Sequence, residues 1–206
     1  MRLLLATRNV GKLRELRAIL SDLPVQCTSL TELGIDLEIP EAGVSFCENA
    51  SLKARGYMEA SGLTTLADDS GLEVSALDGA PGVESARWAG PGASDSDRIR
   101  MLLECLRDVP PAARQAQFRS IAAIATPDGR LYTSEGIIRG LILDQPRGTY
   151  GFGYDPVFLI PELGLTMAEL EPEAKNRISH RARAVRAAGT ILRELLREEE
   201  EGRTGV

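Results

Sequence analysis

Apolar and polar positions along the chain follow two periods. Leu3, Leu4 and Leu5 form a short apolar run within residues 2–6, the mark of a buried strand. Beyond a polar turn, Leu13, Leu16, Ile19 and Leu20 recur at intervals of one, three and four and predict an amphipathic helix over 11–21. The same reading gives a strand near 25–29, a helix near 46–61 and a short strand over Thr64, Thr65, Leu66 and Ala67. Strand alternating with helix is the α/β pattern. A Gly- and Pro-rich stretch, 68–93, reads as irregular. Ser94 then caps a helix holding Ile99, Met101, Leu102, Leu103 and Leu106, with Asp95 and Asp97 in its first turn. Two long strands, Gln117 to Ala125 and Arg130 to Leu143, meet at the turn Pro127-Asp128-Gly129 and predict an antiparallel hairpin. A last helix, 175–199, would bury Ile178, Ala182, Val185, Ala188, Ile191, Leu192 and Leu195. The expected architecture is α/β: an elongated mixed β-sheet flanked by helices, one domain over 1–206 with two lobes and a central cleft.

Composition narrows the chemistry. With 206 residues and 43% hydrophobic content the chain can build a sizeable core without disulfides. Cys27, Cys47 and Cys105 are odd in number and widely spaced, which argues against a disulfide framework or a thiolate zinc site and fits a reducing cytoplasm. No apolar run approaches the roughly 18 residues of a membrane span, so neither a signal peptide nor an anchor is expected. The net charge of −6 disfavours broad binding to a nucleic-acid polymer, so a phosphate site must be made positive locally, by lysines and a metal ion. Glu198 to Glu201 reads as the solvated end of a helix.

Candidate chemistry gathers at a few places. Thr7-Arg8-Asn9-Val10-Gly11-Lys12 follows the first strand and opens the first helix, so backbone N–H groups and a lysine sit where an anion such as a triphosphate tail would bind. It is not a P-loop, since Leu13 stands where Ser or Thr would follow the lysine. Asp68 and Asp69 come after an apolar strand and would face opposite sides, one toward a metal or a water and the other bracing the chain. Glu41 is a candidate second Mg²⁺ ligand, because that ion needs only one or two carboxylates when phosphates and waters complete its shell. Asn49 and Lys53, four residues apart on one helix, could address one ligand. Gly151-Phe152-Gly153-Tyr154-Asp155-Pro156 offers an aromatic face for a base. Lys175, Ser179, His180 and Arg181 would open the last helix as a donor-rich group. His180 is the single histidine, which excludes a histidine-rich metal site and leaves Ser70 with His180 as the one serine-hydrolase alternative, without the G-x-S-x-G elbow. A non-enzymatic purine nucleotide-binding module is a further alternative.

Thr7-x-Asn9-x-Gly11-Lys12, Phe46-x-Glu48-Asn49-Ala50-x-x-Lys53-Ala54, Ala67-Asp68-Asp69-Ser70-Gly71-Leu72, the segment from Gly79 to Trp88, Gly151 to Pro156 and Ser179-His180-Arg181 occur in one order. In that order, from about residue 3 to 195, the chain resembles the inosine triphosphate pyrophosphatase (HAM1/RdgB-like) family. The resemblance implies a Mg²⁺-dependent enzyme that converts aberrant purine nucleoside triphosphates, such as ITP, dITP and XTP, to monophosphate and pyrophosphate, cleansing the nucleotide pool. It implies phosphate binding by Thr7, Arg8, Asn9, Val10, Gly11, Lys12 and Lys53, and substrate contacts by Asn49 and Ser70. Asp69 becomes the catalytic acid or base and a metal ligand, with Glu41 as the other ligand. Phe152, Gly153, Tyr154, Asp155, Lys175, His180 and Arg181 become the base and sugar pocket. It also implies a homodimer, with the loop from Pro81 to Trp88 near the interface. Two positions depart from the family pattern: Arg8 stands where many members have Gly or Ser, and Pro40 precedes Glu41 where some have a second acid.

Overall fold

Leu3, Leu4 and Leu5 are fully buried because β1 (Arg2–Leu5) runs between two parallel neighbours. These are β2 (Gln26–Ser29) on one side and β3 (Thr64–Val74) on the other. A strand paired on both edges and covered on both faces must be apolar throughout. The computed structural model describes residues 1–204. Its sheet continues with β4 (Gln115–Ala125), β5 (Leu131–Ile142), β6 (Phe158–Ile160) and β7 (Leu165–Thr166), in the order β2-β1-β3-β4-β5-β6-β7. Antiparallel pairing of β5 with β6, and of β6 with β7, makes the sheet mixed. The helices are α1 (Val10–Ile19), α2 (Phe46–Ser61), α3 (Asp95–Cys105), α4 (Pro172–Ile178) and α5 (His180–Thr204). Among the described residues no helix is long and apolar enough to cross a membrane.

The chain divides into two units. One comprises 1–69, 120–136 and the chain from 181 onward. Its core joins Leu3, Leu5 and Leu66 of the strands to Leu16 and Leu20 of α1 and to Val185, Ala188 and Leu192 of α5. The other comprises 70–119 and 137–180, with a core of Leu72, Val74, Leu102, Phe118, Phe158 and Met167.

The α/β class, the mixed sheet and the hairpin agree with the sequence reading, and Gly129 turns the hairpin at φ 90° with its N–H on the Thr126 carbonyl. Three expectations are corrected. The strand at 64–67 continues through Asp68 and Asp69 to Val74, because Leu72 and Val74 are fully buried and extend the apolar register past the acids. The stretch 68–93 is therefore irregular only after this strand. The last helix is two helices: Ser179 is extended at ψ 160°, and its N–H closes α4 on the Lys175 carbonyl before α5 begins at His180. The pair β6 and β7 was not foreseen, since three- and two-residue strands carry too little periodicity to register.

Gly140 of β5 shows how closely the second core is packed. A Cβ there would fall 2.2 Å from the Leu159 carbonyl oxygen and 2.6 Å from the Phe158 ring. Gly140→Ala is expected to destabilise the protein by about 1–3 kcal/mol through overpacking, measured as a lowered urea midpoint. An unchanged midpoint would contradict this packing.

Candidate active site

The two acids of β3 are buried, at 1% exposure for Asp68 and 6% for Asp69, and each meets different cations. Alternation along an extended strand turns them to opposite faces. Asp68 Oδ2 accepts a hydrogen bond from Arg181 Nε at 3.0 Å and lies 3.2 Å from Lys12 Nζ. Arg181, itself 2% exposed, also pairs through Nη1 with Glu15 Oε2. Lys12 and Glu15 stand three residues apart on α1 and so share a face. Burial works against the Asp68 charge, but Lys12 and Arg181 outweigh it and hold this carboxyl well below the usual range. Burial, with Arg181 and Lys53 nearby, lowers Lys12 against the pull of Asp68.

Asp69 Oδ1 accepts from Lys53 Nζ at 3.0 Å, and the same ammonium reaches Glu41 Oε1 at 2.7 Å. Asp69 Oδ2 is buried and has no hydrogen-bond partner among the described residues. Burial pushes the Asp69 carboxyl up despite Lys53 and Lys12. Lys53, for which burial acts downward, is raised by Asp69, Asp68 and Glu41 together. One turn before Lys53 on α2, Asn49 is fully buried. Its Oδ1 takes the Gly43 N–H at 2.8 Å, while its buried Nδ2 has no partner among the described residues.

Beside this group the turn after β1 is built around Asn9, whose Oδ1 caps α1 by accepting from the Lys12 N–H at 2.9 Å. Thr7 Oγ1 in turn accepts from the Asn9 N–H at 3.2 Å. This leaves Val10 and Gly11 in the first helical turn, where backbone N–H groups lack intrahelical acceptors and the helix dipole favours an anion. Arg8 departs from expectation. Its long side chain turns away to lay Nη2 on the carbonyls of Ile35 and Leu37, at 3.0 and 3.1 Å.

In the other unit, Gly151 adopts φ 75° and a Cβ there would strike Asp155 Oδ2 at 2.1 Å, so only glycine fits. Asp155, 3% exposed, accepts the Phe152 N–H at 2.9 Å and Lys175 Nζ at 2.5 Å. Lys175 Nζ lies 4.7 Å from the centre of the Phe152 ring, a cation–π distance. Gly153 N–H donates to Asp95 Oδ2 at 2.7 Å, tying this loop to α3. Tyr154 is expected to line a base pocket, yet it is buried, and its hydroxyl donates to the Ser85 carbonyl at 3.0 Å. His180 stacks on Phe118, with centroids 4.7 Å apart.

Several expectations shift accordingly. Arg181, expected in the base and sugar pocket, is engaged by the buried acids Asp68 and Glu15. Ser70 lies inside β3 and not on a turn or nucleophile elbow. Glu15 and Asp95 were missed as site residues. For Glu15 a signal existed, an acid beside Leu16 within the apolar stripe of α1. For Asp95 there was none, since its partner Gly153 is 58 residues away.

The Ham1 family profile matches residues 3–190. A dITP/XTP pyrophosphatase of Geobacter sulfurreducens is 53% identical over 184 residues, covering 89% of this chain and 92% of the relative. A dITP/XTP pyrophosphatase of Desulforamulus reducens is 48% identical over 195 residues, covering 95% and 97%. The solved structure of a HAM1 protein from Coxiella burnetii superposes with a TM-score of 0.86 at 41% identity, covering 94% of this chain and 99% of that one.

Asp68→Asn removes the negative charge between two cations, Lys12 and Arg181, and leaves the Arg181 guanidinium buried beside Glu15. The variant is expected to lose about 3–5 kcal/mol of stability, as when one member of a buried pair is removed. The sign with pH follows from the depressed carboxyl: the contribution is present at neutral pH and is lost in strong acid as Asp68 protonates in the folded state. Denaturation at pH 7 checks the prediction, and wild-type stability would contradict it.

Proposed function

The chain belongs to the Ham1 family, and from that premise we propose that it is a hydrolase that cleaves dITP, XTP and ITP to the monophosphate and pyrophosphate. The relatives named above support this reading, at 53% and 48% identity over most of both chains. Within the molecule one observation carries it: a buried carboxylate oxygen of Asp69 with no hydrogen-bond partner among the described residues, next to Lys53 and Glu41.

That arrangement suits Mg²⁺. Asp69 and Glu41 supply hard oxygen donors of the number that ion takes from protein when phosphates and waters complete its shell. When bound, it would supply positive charge at the phosphate oxygens. Residues of the chain do the rest. The first turn of α1 and Lys12 receive the phosphate tail, and Lys53, pulled back from Glu41 and Asp69, neutralises charge on the departing pyrophosphate. Asp69, through the carboxylate oxygen that Lys53 gives up, orients a water for in-line attack on the α-phosphorus and accepts its proton as the bond from that phosphorus to the α–β bridging oxygen breaks. The pair Asp68–Arg181 holds Lys12 in place and takes no part in proton transfer.

Phe152 offers the ring on which a purine stacks, and Lys175 and His180 select the base. A lysine ammonium donates and cannot accept. The 6-oxo group of hypoxanthine or xanthine meets it as an acceptor, whereas the 6-amino group of adenine would oppose donor to donor, at about 1–3 kcal/mol for each group left unpaired. GTP shares the 6-oxo group, so its rejection must come from the C2 edge. The enzyme works as a cytoplasmic homodimer on free nucleotides.

A pyrophosphate-release assay over a nucleotide panel tests this. ITP, dITP and XTP are expected to turn over about a hundredfold faster than ATP, and EDTA is expected to abolish release. Parity of ITP with ATP, or tight ITP binding without release, would contradict it. Asp69→Asn is expected to lower kcat by about 10²–10⁴-fold, the usual range for losing a general base, with the urea midpoint retained. Near-normal turnover would remove Asp69 from the chemistry.

A further inference from the structure

Residues 35–43 have no regular secondary structure, yet they carry Glu41 to its place beside Lys53. From residue 39 onward α2 secures this strap. Ile39 packs against Gly56 so closely that a Cβ there would meet Ile39 Cδ1 at 2.5 Å. Glu41 pairs with Lys53 at 2.7 Å, the Gly43 N–H bonds Asn49 Oδ1 at 2.8 Å, and the Val44 N–H bonds Glu48 Oε2 at 2.8 Å. The first half of the strap has no such support from α2 and starts at Ile35, whose N–H bonds the Leu30 carbonyl at 2.9 Å. Leu37 is 51% exposed, and among the described residues the bond from Arg8 to the Leu37 carbonyl is the one hydrogen bond made by residues 36–40. Arg8 also holds the Ile35 carbonyl at 3.0 Å. It stands between Thr7 and Asn9, so it ties the turn that opens α1 to the strap that delivers Glu41.

We propose that Arg8 is a positioning residue, which restrains residues 35–40 and thereby fixes Glu41 against Lys53 and Asp69. A segment with little buried apolar surface opens locally at small cost, so two hydrogen bonds from one guanidinium dominate its order. The placement also explains how the turn accommodates an arginine: the side chain leaves the mouth of α1 and rests on the strap. The consequence for catalysis rests on the reading of Glu41 as a metal ligand, whereas the consequence for the strap does not.

The experiment has two arms, both using full-length protein. In the first, amide hydrogen exchange is followed without nucleotide or Mg²⁺. Arg8→Ala is expected to speed exchange of the hydrogen-bonded strap amides, those of Ile35, Gly43 and Val44, by about tenfold or more, with β1 and the body of α2 unchanged, as for loss of a local tie. Unchanged exchange in the strap overturns the proposal. In the second, pyrophosphate release from dITP is measured against Mg²⁺ concentration. Arg8→Ala is expected to raise the Mg²⁺ concentration for half-maximal rate several-fold while KM for dITP moves less, and to add nothing in a Glu41→Gln background, as coupled sites require. A rise in KM for dITP that persists in the Glu41→Gln background would mean that Arg8 contacts phosphate and would overturn the proposal. If Glu41→Gln alone leaves release and its Mg²⁺ dependence at wild-type values, the ligand reading of Glu41 falls, and the exchange arm still decides whether Arg8 holds the strap.

Discussion

Two neighbouring carboxylates inside a buried strand impose the main constraint on this molecule. An ionised group can stay in the interior only if opposite charge and hydrogen bonds compensate its lost hydration. Because Asp68 and Asp69 are adjacent in β3, compensation must arrive from two faces. Lys12 of α1 and Arg181 of α5 provide it for the first acid, Lys53 of α2 for the second. Three helices are thereby tied to the middle of one strand. The compensation is unequal, and that inequality is the chemistry. Asp68 has two cations and remains charged, whereas Asp69 shares a single ammonium with Glu41 and keeps a buried oxygen with no hydrogen-bond partner among the described residues.

The cations around these acids have two uses. In the protein alone they balance Asp68, Asp69, Glu41 and Glu15. With a triphosphate present, Lys12 and Lys53 would face a far stronger concentration of negative charge, and the first turn of α1 would add its N–H groups. Arg181 is committed more deeply, pinned between Asp68 and Glu15, which suits a brace rather than a mobile ligand. In the other unit a similar economy holds. Asp155 fixes both the backbone of Phe152 and the ammonium of Lys175, so a single buried carboxylate sets the aromatic face and the donor beside it.

Much of this was legible in the sequence, for identifiable reasons. The run Leu3-Leu4-Leu5, the stripe of α1 and the hairpin around Gly129 are local patterns, and local patterns survive in one dimension. The opposite facing of Asp68 and Asp69 followed from the two-residue repeat of a strand. Their place inside the strand did not, because two acids before Ser70 and Gly71 look like a turn until Lys12, Lys53 and Arg181 are known to surround them. The contacts of Arg181 with Asp68 and Glu15 were not legible either, and the break at Ser179 before α5 has no Pro or Gly to mark it. The hold of Arg8 on the 35–37 carbonyls was hidden for a similar reason, since backbone carbonyls carry no sequence label.

The most direct test of the division between the two acids is a crystal structure of the wild-type enzyme with Mg²⁺ and an α,β-methylene analogue of dITP. The triphosphate is expected at the first turn of α1 within hydrogen-bonding distance of Lys12 and Lys53, with Asp69 and Glu41 on the metal and Asp68 still closed on Arg181. A triphosphate seated elsewhere, with Lys53 unmoved between Glu41 and Asp69, would contradict it.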